Sequence, residues 1–448
     1  MDIRQSKLPA TLILGYAAAA IGYNLLFGVV NNFLMYFYTD ILLISAAAGG
    51  TIMLVARLWD GINDPIMGSI VDRSNPKFGK YRSFILWGAI PLGLFAVLTF
   101  TAPDLSTNGK VIYGGAMYIL FGMAYTISNI PYMAMQATIT YNQNERTKLI
   151  SIKSMVAGLA IIGGAAAFKP LVDLFPSEKQ GFTIAISILV VIALISIMTA
   201  FKATKEYAYY SSGKEKEKIK FREKIRVITK NKPAVIIMSM IFVISVMQAI
   251  MMSTPMYYAT YNLGKPELIG VFMALNGIMI PAMILTPVLQ KKIGKVPLFV
   301  TGLSITGISS LIIYFIPYNQ IGIILALNGL KAFGFGFSMV LIWAMVADCV
   351  DYGAYKTGIY SSAIVFSSTT FLQKAGMAIG GWLLGMILTI IKYVPNQEQT
   401  PEALQGILLL VSIVPAVFQL IAIIIMKFYP LNESKMEEVL RALKEGEE

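Results

Sequence analysis

Twelve long apolar runs dominate the chain and leave it little choice of fold. They lie at about residues 10–39, 41–71, 83–103, 112–138, 149–172, 181–201, 233–258, 267–289, 297–317, 320–347, 360–391 and 403–427. A helix needs about 20 mostly apolar residues to cross the hydrocarbon core of a bilayer. Backbone polar groups in lipid must also be satisfied within the spanning structure, which favours helices. The expected fold class is an all-α polytopic membrane protein with twelve transmembrane helices. The first run is too long for a cleaved leader and reads as a retained span.

Composition agrees, since charged residues make up only 13% of the chain, about half the share of a soluble domain. What charge there is segregates by loop. Of the 36 lysines and arginines, 27 fall in the termini and the even-numbered loops, 4 in the odd loops and 5 in or beside spans. The positive-inside rule then places both termini in the cytoplasm, for an integral protein of the plasma (inner) membrane. The net charge of +12 reads as this topology signal with some attraction to anionic lipid, not as nucleic-acid binding. Expected partners are therefore the lipid bilayer and a small-molecule solute, with no nucleic acid and a functional monomer. One cysteine, Cys349, allows no intrachain disulfide. The chain has no histidine, which excludes a Ser-His triad, a histidine-ligated metal and a histidine proton relay. No phosphate-cradling loop with a following lysine occurs. The chain is expected not to be an enzyme and to need no cofactor.

One long polar segment, 203–232, splits the chain into six spans and six. The expected domains are residues 1–202, a central loop 203–232, residues 233–428 and a tail 429–448. A faint repeat supports two related halves. Lys77-Phe78-Gly79-Lys80 and Lys292-Ile293-Gly294-Lys295 occupy equivalent loops, and such repeats build transporters with a central site.

Chemistry concentrates in span two, at Arg57-Leu58-Trp59-Asp60-Gly61-Ile62-Asn63-Asp64-Pro65. Asp60 and Asp64, four apart, share a helix face, with Arg57 and Asn63 close by. An intramembrane charge costs roughly 2.5–3.5 kcal/mol on insertion scales, and two adjacent carboxylates repel. A bound cation or proton relieves both. Oxygen ligands suit a hard cation such as Na⁺. The competing reading is a structural pair between Arg57 and a carboxylate. Span four offers Tyr125-Thr126-Ile127-Ser128-Asn129-Ile130-Pro131-Tyr132, in which Thr126 and Asn129 can face span two, or else bond neighbouring helices. Lys374, deep in span eleven, needs a carboxylate partner, with Asp60 or Asp64 as candidates. Lys153 and Lys169 read as span-end residues that snorkel. Two polar strings, Asp72 to Arg82 after span two and Asp348 to Lys356 after span ten, carry opposite charges that can lock one end of a cavity. Aromatics such as Tyr125 and Trp343 suit a sugar face, and equally serve packing.

These strings resemble the glycoside–pentoside–hexuronide:cation symporters (melibiose permease-like) of the major facilitator superfamily, over essentially the whole chain. The likeness is carried by Tyr36–Asp40, Ala56–Pro65, Asp72–Arg82, Tyr125–Pro131, Ala347–Thr357 and Gln373–Gly376. It implies a major facilitator fold of two six-helix bundles and alternating access. It assigns cation binding to Asp60, Asn63, Asp64 and Thr126, a metal site for Na⁺ if sodium is the coupling ion. It places Lys374 beside that site. It assigns a gate to Arg73, Arg146, Asp348 and Asp351. Where galactoside-binding members carry acids in spans one and four, this chain has Asn24 and Asn129. Their span-five arginine aligns with Ser154, beside Lys153.

The expected function is secondary active transport: symport of a sugar or glycoside-like solute with Na⁺ or H⁺ as coupling ion. Asn24, Tyr125, Asn129, Trp343 and Lys374 are the candidate substrate contacts. The lost acids and 25 methionines also admit a lysophospholipid-like cargo on the same fold. A non-transporting membrane sensor is the third expectation.

Overall fold

A computed structural model of the chain describes residues 7–74, 76–79, 81–140, 143–204, 231–357 and 362–445. Among the described residues the regular structure is helical. Eleven helices are long and apolar enough to cross a membrane. The further long helix, Ala46–Arg73 (28 residues), is outside that set. It is the one that carries Arg57, Asp60 and Asp64 in its middle, so the charges that mark it for chemistry are those that lower its hydropathy. Several helices start on a hydroxyl or amide that accepts a hydrogen bond from the first turn: Ser45 from Ala48 N, Ser106 from Gly109 N, Ser177 from Gln180 N, Asn231 from Ala234 N and Thr400 from Ala403 N. Each satisfies one of the donors that a helix start leaves open.

The chain packs as two compact units. The first contains Met1–Gly213 with Lys265–Ala274 and Leu384–Glu398; the second contains Lys214–Gly264, Leu275–Leu383 and Gln399–Glu448. Two stretches from the second half of the sequence thus go with the first unit by packing.

The first unit is built from α1 (Ala10–Tyr36), α2 (Ala46–Arg73), α3 (Arg82–Thr99), α4 (Thr107–Ile139), α5 (Gln143–Val172) and α6 (Glu178–Ala203). Helix α1 packs on α5 and α6, α2 on α4, and α3 on α4 and α6. Small residues let these backbones approach, as is usual between membrane helices. A Cβ at Gly22 would lie 2.7 Å from the Ala193 carbonyl, and one at Gly28 3.1 Å from that of Ile161. Tyr16 and Tyr132 stitch α1 to α4 reciprocally: each hydroxyl donates to the other's carbonyl, at 2.9 and 3.0 Å. Lys169 does not snorkel. It is buried at the end of α5 and paired with Asp173 and with Glu178, the latter at 3.0 Å. The i,i+4 spacing to Asp173 was a signal the sequence reading passed over.

The second unit contains α7 (Lys232–Tyr257), only the last residue of α8 (Leu268–Leu275), a short 3₁₀ turn, α9 (Met279–Ile293), α10 (Lys295–Ile313), α11 (Ile321–Thr357), most of α12 (Ser362–Ile390), α13 (Pro401–Val411), α14 (Ile413–Met426) and α15 (Glu433–Glu445). Its core joins α7, α10, α11 and α14 around Met240, Ile244, Phe299, Leu341, Met345 and Met426. The tail is not a loose extension: α15 packs on α11 and buries Met436 and Val439.

The two halves repeat two local devices. Gly79 and Gly294, in the matching basic turns, both take positive φ, at 100° and 89°. Helices α1 and α7 both run on into a five-residue π-helical turn, Phe37–Ile41 and Tyr258–Asn262. Each is followed two residues later by a left-handed residue, Leu43 at φ 61° and Gly264 at φ 60°. A side chain is strained in that region, so Leu43 keeps a turn for which its counterpart uses glycine.

In the first unit the π-turn buries an acid. Asp40 is 3% exposed. It accepts from Tyr393 Oη at 2.5 Å and Thr39 Oγ1 at 2.6 Å, and its carbonyl accepts from Asn396 Nδ2 at 2.6 Å.

Candidate functional site

Helix α2 brings its chemistry to the face that meets α4. A helix places residues 57, 60, 63 and 64 on one side. Asp64 Oδ1 accepts a hydrogen bond from Thr126 Oγ1 of α4 at 2.9 Å. One turn earlier on α2, Asp60 lies against the α4 backbone at Gly122, where a Cβ would be only 2.7 Å from Asp60 Oδ1. The sequence reading missed Gly122, because nothing local distinguishes it from other packing glycines. Asn63 is half-buried, and its Nδ2 is buried with no hydrogen-bond partner among the described residues. The two ends of an amide exchange by rotation, so this position can present oxygen.

Arg57 is tied to both α1 and α2. Its Nη2 donates to Asn31 Oδ1 at 2.6 Å, its Nη1 lies 3.7 Å from Asp60 Oδ2, and its guanidinium carbon sits 5.5 Å from the Phe27 ring centroid. Asp60 keeps 16% of its side chain exposed. Two carboxylates, one guanidinium, one hydroxyl and two amides thus share the α1–α2–α4 contact. Carboxylate and neutral oxygens are the donor set that hard cations take.

Beside this group lies an aromatic wall. Tyr125 packs 5.9 Å from Tyr23, 6.0 Å from Phe27 and 6.2 Å from Phe121 by ring centroids. Tyr23 is buried and its hydroxyl is paired with Ser128 Oγ at 2.5 Å. Lys153 of α5 holds its ammonium 6.0 Å from the Tyr132 ring, a cation–π arrangement. Of the candidate substrate contacts, Asn24 spends its amide on its own helix, donating to Ala20 O at 2.9 Å. Asn129 is half-buried on α4, and its neighbour Met133 is 47% exposed. In the second unit, Trp343 stacks parallel on Phe366 at 6.4 Å, and Lys374 is half-buried on α12.

The gate residues fare differently. The side chains of Arg73 and Arg146 lie outside the described residues. Asp348 is bound within its own unit by Lys295, whose Nζ lies 2.7 and 2.9 Å from the two carboxylate oxygens. A cavity of about 190 Å³ adjoins this pair, lined also by Tyr429, Asn432 and Met436. Asp351, one turn on from Asp348, is half-buried.

Two bundles of long apolar helices, with carboxylates held between helices inside one of them, define a polytopic membrane transporter of the major facilitator type. The comparisons with known proteins agree. The family model described as MFS/sugar transport protein matches residues 15–433. An uncharacterised symporter of Bacillus subtilis (strain 168), YnaJ, is 34% identical over 439 residues, covering 96% of this chain and 93% of that one. The isoprimeverose transporter of Lactiplantibacillus pentosus is 31% identical over 441 residues, covering 96% and 91%. The inward-open xylose transporter of E. coli has the same fold, with TM-score 0.66 at 15% identity over 97% of this chain and 98% of that one. The chain belongs to the MFS/sugar transport family, in its glycoside–pentoside–hexuronide:cation symporter group.

Proposed function

We propose that this protein is a cation-coupled symporter of a sugar or glycoside-like solute, working by alternating access. The single observation that carries the reading is the pair of carboxylates on α2, Asp60 packed on Gly122 and Asp64 bonded to Thr126. Charges inside a span are costly and mark ion pathways by default. The membership of a sugar-transport family supports the solute class, as does a relative named for isoprimeverose. Asp60 and Asp64 bind the coupling ion, with Thr126 and Asn63 supplying neutral oxygens. Such neutral ligands favour Na⁺ over H⁺, since a proton needs only a carboxylate. Cation binding discharges the carboxylates, and the loaded site then crosses between the two access states. Asn24, Tyr125, Asn129, Trp343 and Lys374 contact the solute, the protein acts as a monomer, and both termini face the cytoplasm. The test is uptake of radiolabelled isoprimeverose and other glycosides into proteoliposomes under an imposed Na⁺ or proton gradient. Accumulation that follows one gradient and collapses with an ionophore supports the reading. Uptake indifferent to both gradients overturns it.

A further inference from the structure

Arg57 sits three residues before Asp60 on α2, within reach of the carboxylate that the proposed reaction needs. A guanidinium closing on that carboxylate in the usual paired fork would compete directly with an incoming cation. Two contacts from α1 engage the guanidinium elsewhere. Asn31 Oδ1 takes Arg57 Nη2 at 2.6 Å, while the Phe27 ring lies 5.5 Å from the guanidinium carbon. The gap from Arg57 Nη1 to Asp60 Oδ2 is 3.7 Å, beyond hydrogen-bond distance. The clamp is itself oriented. Asn31 Nδ2 donates to the carbonyl of Phe27 at 2.6 Å, four residues back on the same face of α1, and this turns Oδ1 toward Arg57. One turn of helix thus supplies both the acceptor and the aromatic face.

We propose that Asn31 is a positioning residue for the coupling site: it holds the Arg57 guanidinium on α1 so that it does not close on Asp60. The arginine kept nearby still has a use. Held at 3.7 Å, it still offsets part of the carboxylates' charge without taking up an oxygen that a cation would use. The inference rests on the reading of Asp60 as a cation ligand and adds how α1 sets its affinity.

The test uses the full-length protein in detergent, with thermal unfolding followed as NaCl replaces choline chloride, and as pH is varied in choline alone. Asn31→Leu removes the acceptor and lets Arg57 fall onto Asp60. The concentration of Na⁺, or of protons, giving half the full stabilisation then rises roughly tenfold or more, the value of a hydrogen bond to a charged group. Asn31→Gln keeps a neutral amide with both acceptor and donor and holds the midpoint within about threefold of wild type, by the same scale. Placed on Arg57→Gln, Asn31→Leu adds less than about twofold, because its effect runs through the arginine. A purely structural role for Asn31 predicts equal shifts in both backgrounds and no rescue by glutamine, and either result overturns the proposal. If Asn31→Leu does not yield folded protein, Asn31→Ala is measured in the same two backgrounds with the same outcomes. A wild-type protein whose unfolding responds to neither cation, with Asp60→Asn unchanged from it, overturns instead the cation reading on which the inference stands.

Discussion

Replacing Gly122 by alanine adds one methyl group at the point where α4 faces Asp60. The new Cβ would stand 2.7 Å from Asp60 Oδ1, whereas ordinary contact begins at about 3.4 Å. The carboxylate must therefore retreat by about 0.7 Å. It is the far end of a side chain and can do so without moving either helix. Alanine is also the better helix former, by about 1 kcal/mol, so the fold should be no less stable. The loss falls on the ion. For a cation–oxygen distance of about 2.4 Å, lengthening one contact to about 3.1 Å costs about 1.6 kcal/mol at an effective dielectric of about 20. That is somewhat over tenfold in affinity. The assay is thermal unfolding titrated with NaCl, and with pH in sodium-free buffer. The expected result is an unchanged or raised unfolding temperature without cation, and a half-maximal cation concentration raised about tenfold. A cation response equal to wild type would refute the placement of the ion at Asp60 beside α4.

Thr126→Val keeps the shape but removes the donor to Asp64 Oδ1; a hydrogen bond to a charged group contributes about 1.5–3 kcal/mol, so the same titration should show at least a tenfold weaker cation response with the fold intact. Tyr393→Phe leaves buried Asp40 short of its 2.5 Å donor and should lower stability by about 1–3 kcal/mol, seen as a lower unfolding temperature with little change in the cation midpoint. Lys295→Met removes the partner of Asp348; the uncompensated carboxylate should destabilise the second unit and raise the accessibility of a cysteine placed at Val439 to a maleimide reagent, because α15 packs beside that pair.

The helices were legible because a bilayer demands long apolar runs, and each run of that kind in the sequence became a helix or a pair of short helices in line. The α2 cluster was legible for the opposite reason: Asp60, Asn63 and Asp64 break an apolar run, and a helix of known pitch puts them on one side. What stayed hidden depends on partners far along the chain. Gly122 matters because of a carboxylate 62 residues earlier, and Asn31 because of an arginine 26 residues later. Neither carries a local signal, since glycine and asparagine are ordinary in packed membrane helices. Asp40 stood in a string used only for its resemblance; its burial depends on Tyr393 and Asn396, more than 350 residues away. The tail helix was readable in part. Met436 and Val439 have helical spacing, and the structure seats both of them on α11.

The central claim is that Asp60 and Asp64 couple solute movement to a cation gradient. Its most direct measurement is radiolabelled isoprimeverose in proteoliposomes, comparing gradient-driven accumulation with solute exchange at equal cation on both sides, for wild type, Asp60→Asn and Asp64→Asn. The account predicts that wild type accumulates the sugar against its gradient, and that each variant loses accumulation while the protein stays folded. Accumulation by both variants at the wild-type level would contradict it.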